Sequence, residues 1–99
     1  MNQFDIYLAD VPFEDVEETK IRPVLILEEK AYLISCLPIT SNTSRGEDYV
    51  IKKWKDAGLK YPSAIRFLKI LELDSSMISK RIGKLHPIDI IEIQRLLWQ

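Results

Sequence analysis

The stretch that most constrains the fold is Ile21–Leu27, which is written Ile-Arg-Pro-Val-Leu-Ile-Leu. Its last four residues are apolar without interruption, which is typical of a strand buried on both faces of a sheet. Pro23 has no amide hydrogen for a neighbouring strand, so we expect it at the strand's start. Arg22 then lies at the start of a central strand, where its guanidinium group can hold an anion or a phosphate. The alternative is a surface arginine paired with a nearby glutamate.

Other segments have the apolar composition of strands, and the last has the period of a helix. The predicted strands are Phe4–Ala9, Pro23–Glu28, Ala31–Ile39, Tyr49–Ile51, Ala64–Leu73 and Ile78–Leu85, with a turn at Glu28–Lys30. A helix capped by His86 begins at Pro87, and Asp89 complements its positive end. Its predicted apolar face, which would seal one side of the sheet, consists of Ile90, Ile91, Ile93, Leu97 and Trp98. The predicted fold is mainly β, a small barrel of antiparallel strands with a C-terminal helix.

Length and composition predict one small domain over residues 1–99 with an ordinary packed core, since 46% of the residues are hydrophobic. The single cysteine, Cys36, cannot form an intramolecular disulfide and is expected in the core of a cytoplasmic protein. No apolar run reaches the roughly 20 residues of a membrane span. Net charge is −1, but residues 45–85 hold ten basic and five acidic side chains, against three and eight in residues 1–44. This excess would attract phosphate if the basic side chains share a face.

The end of the third predicted strand carries a run of hydrogen-bonding side chains. Thr40, Ser41 and Asn42 follow Pro38-Ile39 and lead into a polar loop. In an antiparallel hairpin the start of one strand lies beside the end of the next. Arg22 and Thr40 are therefore predicted to converge at one end of the sheet. The alternative for the loop is an ordinary turn with no binding role.

Basic and aromatic residues form a second group of candidates. Trp54 follows Lys52 and Lys53, so its ring could stack on a nucleic-acid base while the lysines hold phosphates. The alternative is a tryptophan packed on the body of the protein with solvated lysines around it. Arg66 interrupts an apolar strand face, so it is paired, at an edge, or functional. Arg81 belongs to the same basic half of the chain.

Three blocks together make the sequence similar to the MazF/PemK (Kid) toxins of bacterial toxin–antitoxin pairs. The opening block is Ile6–Asp10 followed, after an acidic loop, by Ile21–Leu27; the second is Leu37–Asn42; the last is Lys80–Leu85 before a short helix. The blocks occur in the family's order and spacing over nearly the whole chain. There is no Walker loop, dinucleotide fingerprint, serine–histidine triad or metal-ligand cluster in the sequence, so we expect neither metal nor cofactor.

The resemblance implies an SH3-like barrel, a homodimer and an endoribonuclease that cuts single-stranded RNA at short sequences without metal. It places catalysis on Arg22 and Thr40. Ser41, Asn42, Lys52, Lys53, Trp54, Arg66 and Arg81 are then expected to bind RNA. The expected partner is a cognate acidic antitoxin protein, and DNA is not expected to be a substrate because it lacks the attacking 2′-hydroxyl.

Two positions depart from the family pattern. The chain has Gln3-Phe4-Asp5 where the family usually has a glycine, and Leu68 where some members have a catalytic aspartate two residues after the arginine. Glu17 or Glu18 of the acidic loop could act as the base instead. Two rival functions remain: a gyrase-poisoning toxin of the CcdB kind, and an inactive SH3-like interaction module.

Overall fold

The computed structural model describes residues 1–12 and 19–98. The predicted acidic connection at residues 13–18, including Glu17 and Glu18, lies outside these described residues. The strands are β1 (Asp5–Pro12), β2 (Thr19–Lys30), β3 (Leu33–Thr40), β4 (Tyr49–Val50), β5 (Ala64–Ile65), β6 (Leu71–Asp74) and β7 (Ile78–Lys84). A short 3-10 helix, Ser75–Met77, precedes β7, and helix α1 spans Pro87–Leu97.

The described strands form one antiparallel sheet in the order β4-β5-β3-β2-β1-β7, with β6 also paired to β3. This confirms the mainly β fold with a C-terminal helix. Within the described residues β4 and β7 are not paired with each other, so the sheet is open and the predicted barrel is not closed by hydrogen bonds.

Strand β2 is the centre of this sheet and is longer than predicted. Pro23 lies inside the strand, opposite Leu8 of β1, so its predicted place at the strand start was wrong. Pairing of β2 with β3 begins only at Val24, as expected where the preceding residue has no amide hydrogen to donate. The predicted turn at Glu28–Lys30 was also wrong: these residues continue the ladder, and the chain turns at Ala31, whose φ is 51°.

Two predictions in the second half need correction. The long strand Ala64–Leu73 is two short strands separated by a turn, in which the Lys69 amide donates to the Arg66 carbonyl at 3.1 Å. The polar residues Arg66 and Lys69 lie in this turn, which residue alternation alone does not reveal. Ile91 of helix α1 and Trp98, which follows the helix, are both exposed, so the predicted apolar face was too wide.

The core has two layers, one on each side of the central strands. Leu25, with Ile6, Leu37 and Ile93, belongs to the layer sealed by α1, while Val24 and Ile26 pack with Cys36 in the other layer. Since Val24, Leu25 and Ile26 are all buried, the prediction of a strand buried on both faces is confirmed. Burial raises the pKa of the Cys36 thiol to about 12, as expected for a core cysteine. Among the residues that the structure describes, none of the helices has the length and hydropathy of a membrane span.

Phe4 occupies the position where the resembled family usually has glycine. Its φ is 70°, a conformation that costs a side-chain-bearing residue about 1–2 kcal/mol. The backbone is fixed there by the Phe4 amide donating to the Ile26 carbonyl at 2.7 Å and by the Leu85 amide donating to the Phe4 carbonyl at 3.0 Å. Burial of the phenyl ring in the core offsets this cost.

The loop after β4 packs against β7 at two glycines. A Cβ at Gly58, whose φ is 91°, would come within 2.5 Å of the Ile82 carbonyl oxygen. A Cβ at Gly83 would overlap the Ala57 carbonyl oxygen. The two backbones can approach this closely only because neither residue has a side chain. This contact fixes residues 57–60 beside β7.

We predict that Gly83→Ala lowers the free energy of unfolding by roughly 2 kcal/mol or more, because backbone must move to accommodate the methyl group. Gly46→Ala is the matched control, since a Cβ at Gly46 meets nothing within 4 Å, and its effect should stay within about 0.5 kcal/mol. Urea unfolding followed by circular dichroism measures both changes. Equal stability of the two variants would contradict this account of the loop contact.

Candidate functional site

A pocket of about 580 Å³ opens where the pairing of β2 with β3 ends. Arg22 of β2 lines this pocket together with Thr40, the last residue of β3, and Ser41. The full lining is Leu8, Lys20, Ile21, Arg22, Pro23, Ile39, Thr40, Ser41, Gly58, Leu59, Lys60, Tyr61, Ser63, Lys80 and Ile82. The structure therefore brings Arg22 and Thr40 together, as the hairpin argument predicted.

The register of the sheet explains this convergence. The last paired residues of the β2–β3 ladder are Val24 and Pro38, and Arg22 and Thr40 each lie two residues beyond that pair. The next position on β2 is Pro23, which has no amide hydrogen with which to continue the ladder. Past this point β2 pairs only with β1, and Thr40 pairs with Ala64 of β5. The pocket forms between the two separating strands.

The Thr40 hydroxyl is oriented by its own loop. The Asn42 amide donates to Thr40 Oγ1 at 3.1 Å, so the oxygen accepts from the protein and its hydrogen can be donated elsewhere. Asn42 Oδ1 accepts from the Ser44 amide at 3.0 Å and from Ser44 Oγ at 2.6 Å. Asn42 thus orders the loop that holds Thr40, and it does not line the pocket itself.

The charge around the pocket has one sign. Lys20, Arg22, Lys60 and Lys80 line it, and none of its described lining residues is acidic. In a chain with a net charge of −1, this is a local concentration of positive potential suited to an anionic ligand. Sequence reasoning did not select Lys20, Lys60 or Lys80, although the basic excess in residues 45–85 was the signal for two of them.

The predicted group Lys52, Lys53 and Trp54 lies outside the pocket lining. Trp54 is half-buried against the core, and Lys55 Nζ lies 5.4 Å from the centroid of its ring. Trp54 thus packs on the body of the protein with lysines around it, as in the second alternative. RNA binding by Lys52, Lys53 and Trp54 stays a prediction.

Arg66 and Arg81 also lie outside the pocket lining, each beside a buried carboxylate. Arg66 Nε is 4.0 Å from Asp48 Oδ1, and Arg81 donates to Asp5 Oδ1 at 3.3 Å. Of the three alternatives for Arg66, the structure fits the first, because the guanidinium lies beside the opposite charge of Asp48. Arg81 is still half exposed beyond its ion pair, so RNA contact by either arginine stays a prediction.

Asp89 is a structural residue whose role the sequence did not reveal. It was expected only to complement the helix dipole, but it is fully buried. Its carboxylate accepts from Tyr49 Oη at 2.6 Å and from the amides of Lys52 and Lys53 at 2.9 Å each. Burial, and then the hydrogen bond to Asp89, raise the pKa of Tyr49. The carboxylate thereby joins helix α1 to the segment after β4.

No group of three or more histidine, cysteine, aspartate or glutamate side chains in the described part of the chain is arranged to hold a metal ion. The positive charge at the pocket comes from lysine and arginine side chains.

The chain matches one protein-family model and is similar in fold to solved structures. The model of a family described as PemK-like, MazF-like toxin of type II toxin–antitoxin system matches residues 2–99. Among solved structures, the chain is similar to the Mycobacterium tuberculosis toxin MazF-mt6, with 21% identity, a TM-score of 0.73, and coverage of 94% of this chain and 91% of the other. It is also similar to an endoribonuclease in complex with its cognate antitoxin from Mycobacterial species, with 13% identity, a TM-score of 0.73, and coverage of 96% and 86%. At these identities the two structures establish the fold. No curated protein matches the sequence.

We predict that Asp89→Asn lowers the free energy of unfolding by roughly 1–3 kcal/mol, because an amide cannot accept all three hydrogen bonds that the carboxylate accepts. Asp56→Asn, at an exposed position of the same loop, is the matched control and should change stability little. Chemical denaturation of both variants measures the difference. If both variants match the wild type, the buried carboxylate does not hold the loop to α1.

Proposed function

The chain belongs to the PemK-like, MazF-like toxins of type II toxin–antitoxin systems, and from this premise we propose that it is a toxin endoribonuclease. Its substrate would be single-stranded RNA, cut at short sequences within the cytoplasm. The observation that carries the proposal is the pocket shared by Arg22 and Thr40, whose charged lining residues are all basic within the described chain. A guanidinium, a hydroxyl and three lysines can together bind a phosphodiester and stabilise the charge that develops on it during cleavage.

In the proposed reaction the 2′-hydroxyl oxygen of one nucleotide attacks the adjacent phosphorus. A new O2′–P bond forms, the P–O5′ bond breaks, and the 5′-oxygen takes a proton from solvent water as it leaves. The products are a 2′,3′-cyclic phosphate and a 5′-hydroxyl end. Negative charge grows on the non-bridging phosphoryl oxygens before the bond breaks, so donors aimed at those oxygens lower the barrier.

Arg22 and Thr40 are suited to provide those donors. The planar guanidinium of Arg22 can hold two phosphoryl oxygens, and a strand paired with β1 fixes its backbone. The Thr40 hydroxyl, already accepting from the Asn42 amide, can donate to a phosphoryl oxygen. Lys20, Lys60 and Lys80 add positive potential that draws the RNA backbone into the pocket. Because this charge is built from side chains, we propose that cleavage proceeds without metal.

The general base that we propose is not one of the described residues that line the pocket. Leu68, at the position of the aspartate found in some family members, is exposed and cannot accept a proton. We propose Glu17 or Glu18 of the connection between β1 and β2 for this role, since that connection leads directly into the strand that carries Arg22. Either carboxylate would take the proton from the attacking 2′-hydroxyl.

We also propose that the protein is a homodimer. Ile70 and Trp98 are 61% and 62% exposed, and they line a second groove of about 360 Å³ with Leu27 and Leu97. Exposed apolar surface of this kind is typical of an interface, and a second copy would remove it from water. Two copies would also place two basic pockets along one RNA path.

The proposed regulator is an acidic antitoxin protein. A pocket lined by four cations would bind an acidic, partly disordered segment as readily as it binds a phosphate backbone. Occupation of the pocket by such a segment would exclude RNA. Inhibition and catalysis would then depend on the same basic side chains.

We predict that Arg22→Ala and Thr40→Ala each lower RNA cleavage roughly 10²-fold or more, because each removes one transition-state donor. Arg22→Lys should also be poor, since a point charge cannot replace the planar fork. Initial rates on single-stranded RNA measure these effects, and circular dichroism checks that each variant is folded. Cleavage by the wild-type protein should continue in EDTA.

The controls for this experiment are Arg95→Ala, an exposed arginine on α1, and Thr43→Ala, an exposed threonine in the loop of Thr40. Both should cut RNA at wild-type rates. Wild-type rates for Arg22→Ala and Thr40→Ala, or complete loss of wild-type cleavage in EDTA, would refute the proposed mechanism. A toxin that poisons gyrase would cut no RNA in any of these forms.

We predict that Ile70→Asp converts the dimer to a monomer at micromolar concentration, because the new carboxylate would be buried without a partner in the interface. The side chain is exposed within one chain, so the fold should persist. Light scattering measures the mass. Ile88→Asp is the control and should remain a dimer. Ile88 is also exposed, but it lies in the first turn of α1 and does not line the groove, and a carboxylate there suits the helix dipole. A wild-type monomer would contradict the proposal.

A further inference from the structure

Tyr61 is a large aromatic side chain left exposed at the edge of the basic pocket. It is 66% exposed, and it lines the same pocket as Lys60 and Thr40. Within the described residues, Tyr61 belongs to neither layer of the core. An exposed ring beside a cation, at a site for a nucleic-acid backbone, is the arrangement that binds unstacked bases.

The backbone on the C-terminal side of Tyr61 is fixed. Pro62 follows it, which restricts Tyr61 to extended conformations. The buried Ser63 donates from Oγ to the Tyr61 carbonyl at 2.7 Å. Ser63 is in turn held by the Ile51 amide, which donates to its carbonyl at 2.9 Å. Three independent constraints thus act within two residues of the ring.

The backbone on the N-terminal side is fixed as well. Leu59 is buried in the core, and its amide donates to the Trp54 carbonyl at 3.1 Å. Gly58 packs against the Ile82 carbonyl so closely that no side chain fits between them. Tyr61 therefore projects from a short rigid segment with both ends anchored to the body of the protein. The backbone that carries the ring therefore loses little conformational freedom when a flat ligand stacks on it.

We infer that Tyr61 is a stacking residue for the base of a nucleotide adjoining the phosphate held by Arg22 and Thr40. Lys60, its neighbour on the pocket lining, contacts the backbone of the same nucleotide. Stacking on Tyr61 pulls one base out of the single strand and aligns the sugar for attack on the phosphate. The inference rests on the proposed function, because it assigns Tyr61 to the substrate of that reaction.

Binding of an RNA that cannot be cut tests the stacking role without depending on catalysis. The probe is a short, fluorescently labelled, random-sequence single-stranded pool with 2′-O-methyl groups in place of the attacking hydroxyls. Tyr61→Ala should raise the Kd roughly 5-fold to 100-fold, the usual effect of losing one stacked base, and Tyr61→Phe should leave it within about 3-fold. Tyr32→Ala is the matched control: Tyr32 is 65% exposed at the β2–β3 turn and does not line the pocket.

A thermodynamic cycle then shows whether the ring acts through a base. Single abasic positions are introduced in turn along a 2′-O-methyl oligonucleotide that spans the cut site mapped with the wild-type protein. At one position next to the scissile phosphate, loss of the base should weaken binding to the wild-type protein but not to Tyr61→Ala. A purely structural role for Tyr61 would give additive effects at every position and would overturn the inference.

The two proposals fail in different ways. If Arg22→Ala abolishes cleavage while Tyr61→Ala binds the pool as tightly as the wild type, the stacking role is wrong and the catalytic assignment stands. If the wild-type protein cuts no RNA, the proposed function is wrong, and an unchanged Kd for Tyr61→Ala with the pool rejects the stacking role as well. A Kd raised equally by Tyr32→Ala also rejects it.

Discussion

The pocket depends on one missing hydrogen-bond donor in the middle of the central strand. Pro23 cannot continue the ladder from β2 to β3, so pairing stops at Val24 and Pro38. Beyond that pair the two strands turn to different neighbours, β1 and β5, and space opens between them. Arg22 and Thr40 would face each other if the ladder continued. They instead face a cavity large enough for part of a nucleotide chain, while strong pairing on their other sides keeps both backbones rigid.

The loop between β4 and β5, residues 51–63, forms much of the rest of the pocket. Asp89 binds the start of this loop through the amides of Lys52 and Lys53, and the contact of Gly58 with Ile82 fixes its far end against β7. These anchors bring Lys60 and Tyr61 over the opening left by Pro23. Without this loop, the site would be two polar side chains at a sheet end with little surface for recognising a substrate.

The sequence predicted those features that depend on local chemistry and on hairpin register. The doubly buried β2, the capped helix at His86 and the convergence of Arg22 with Thr40 follow from apolar runs, capping residues and antiparallel geometry. It did not predict that Lys60 and Tyr61 reach the pocket, because their position depends on contacts between residues far apart in the chain. The burial of Asp89 was missed for the same reason: its three donors come from β4 and the loop that follows.

We propose that this pocket promotes attack by a 2′-hydroxyl on the neighbouring phosphate. Cleavage of two RNAs that differ only by a single 2′-deoxy substitution at the nucleotide before the cut tests this chemistry directly. We expect the unmodified RNA to yield a 2′,3′-cyclic phosphate and a 5′-hydroxyl end, and the substituted RNA not to be cut at that position. Cleavage of the substituted RNA there, or 5′-phosphate ends from the unmodified RNA, would show that the 2′-hydroxyl is not the attacking group.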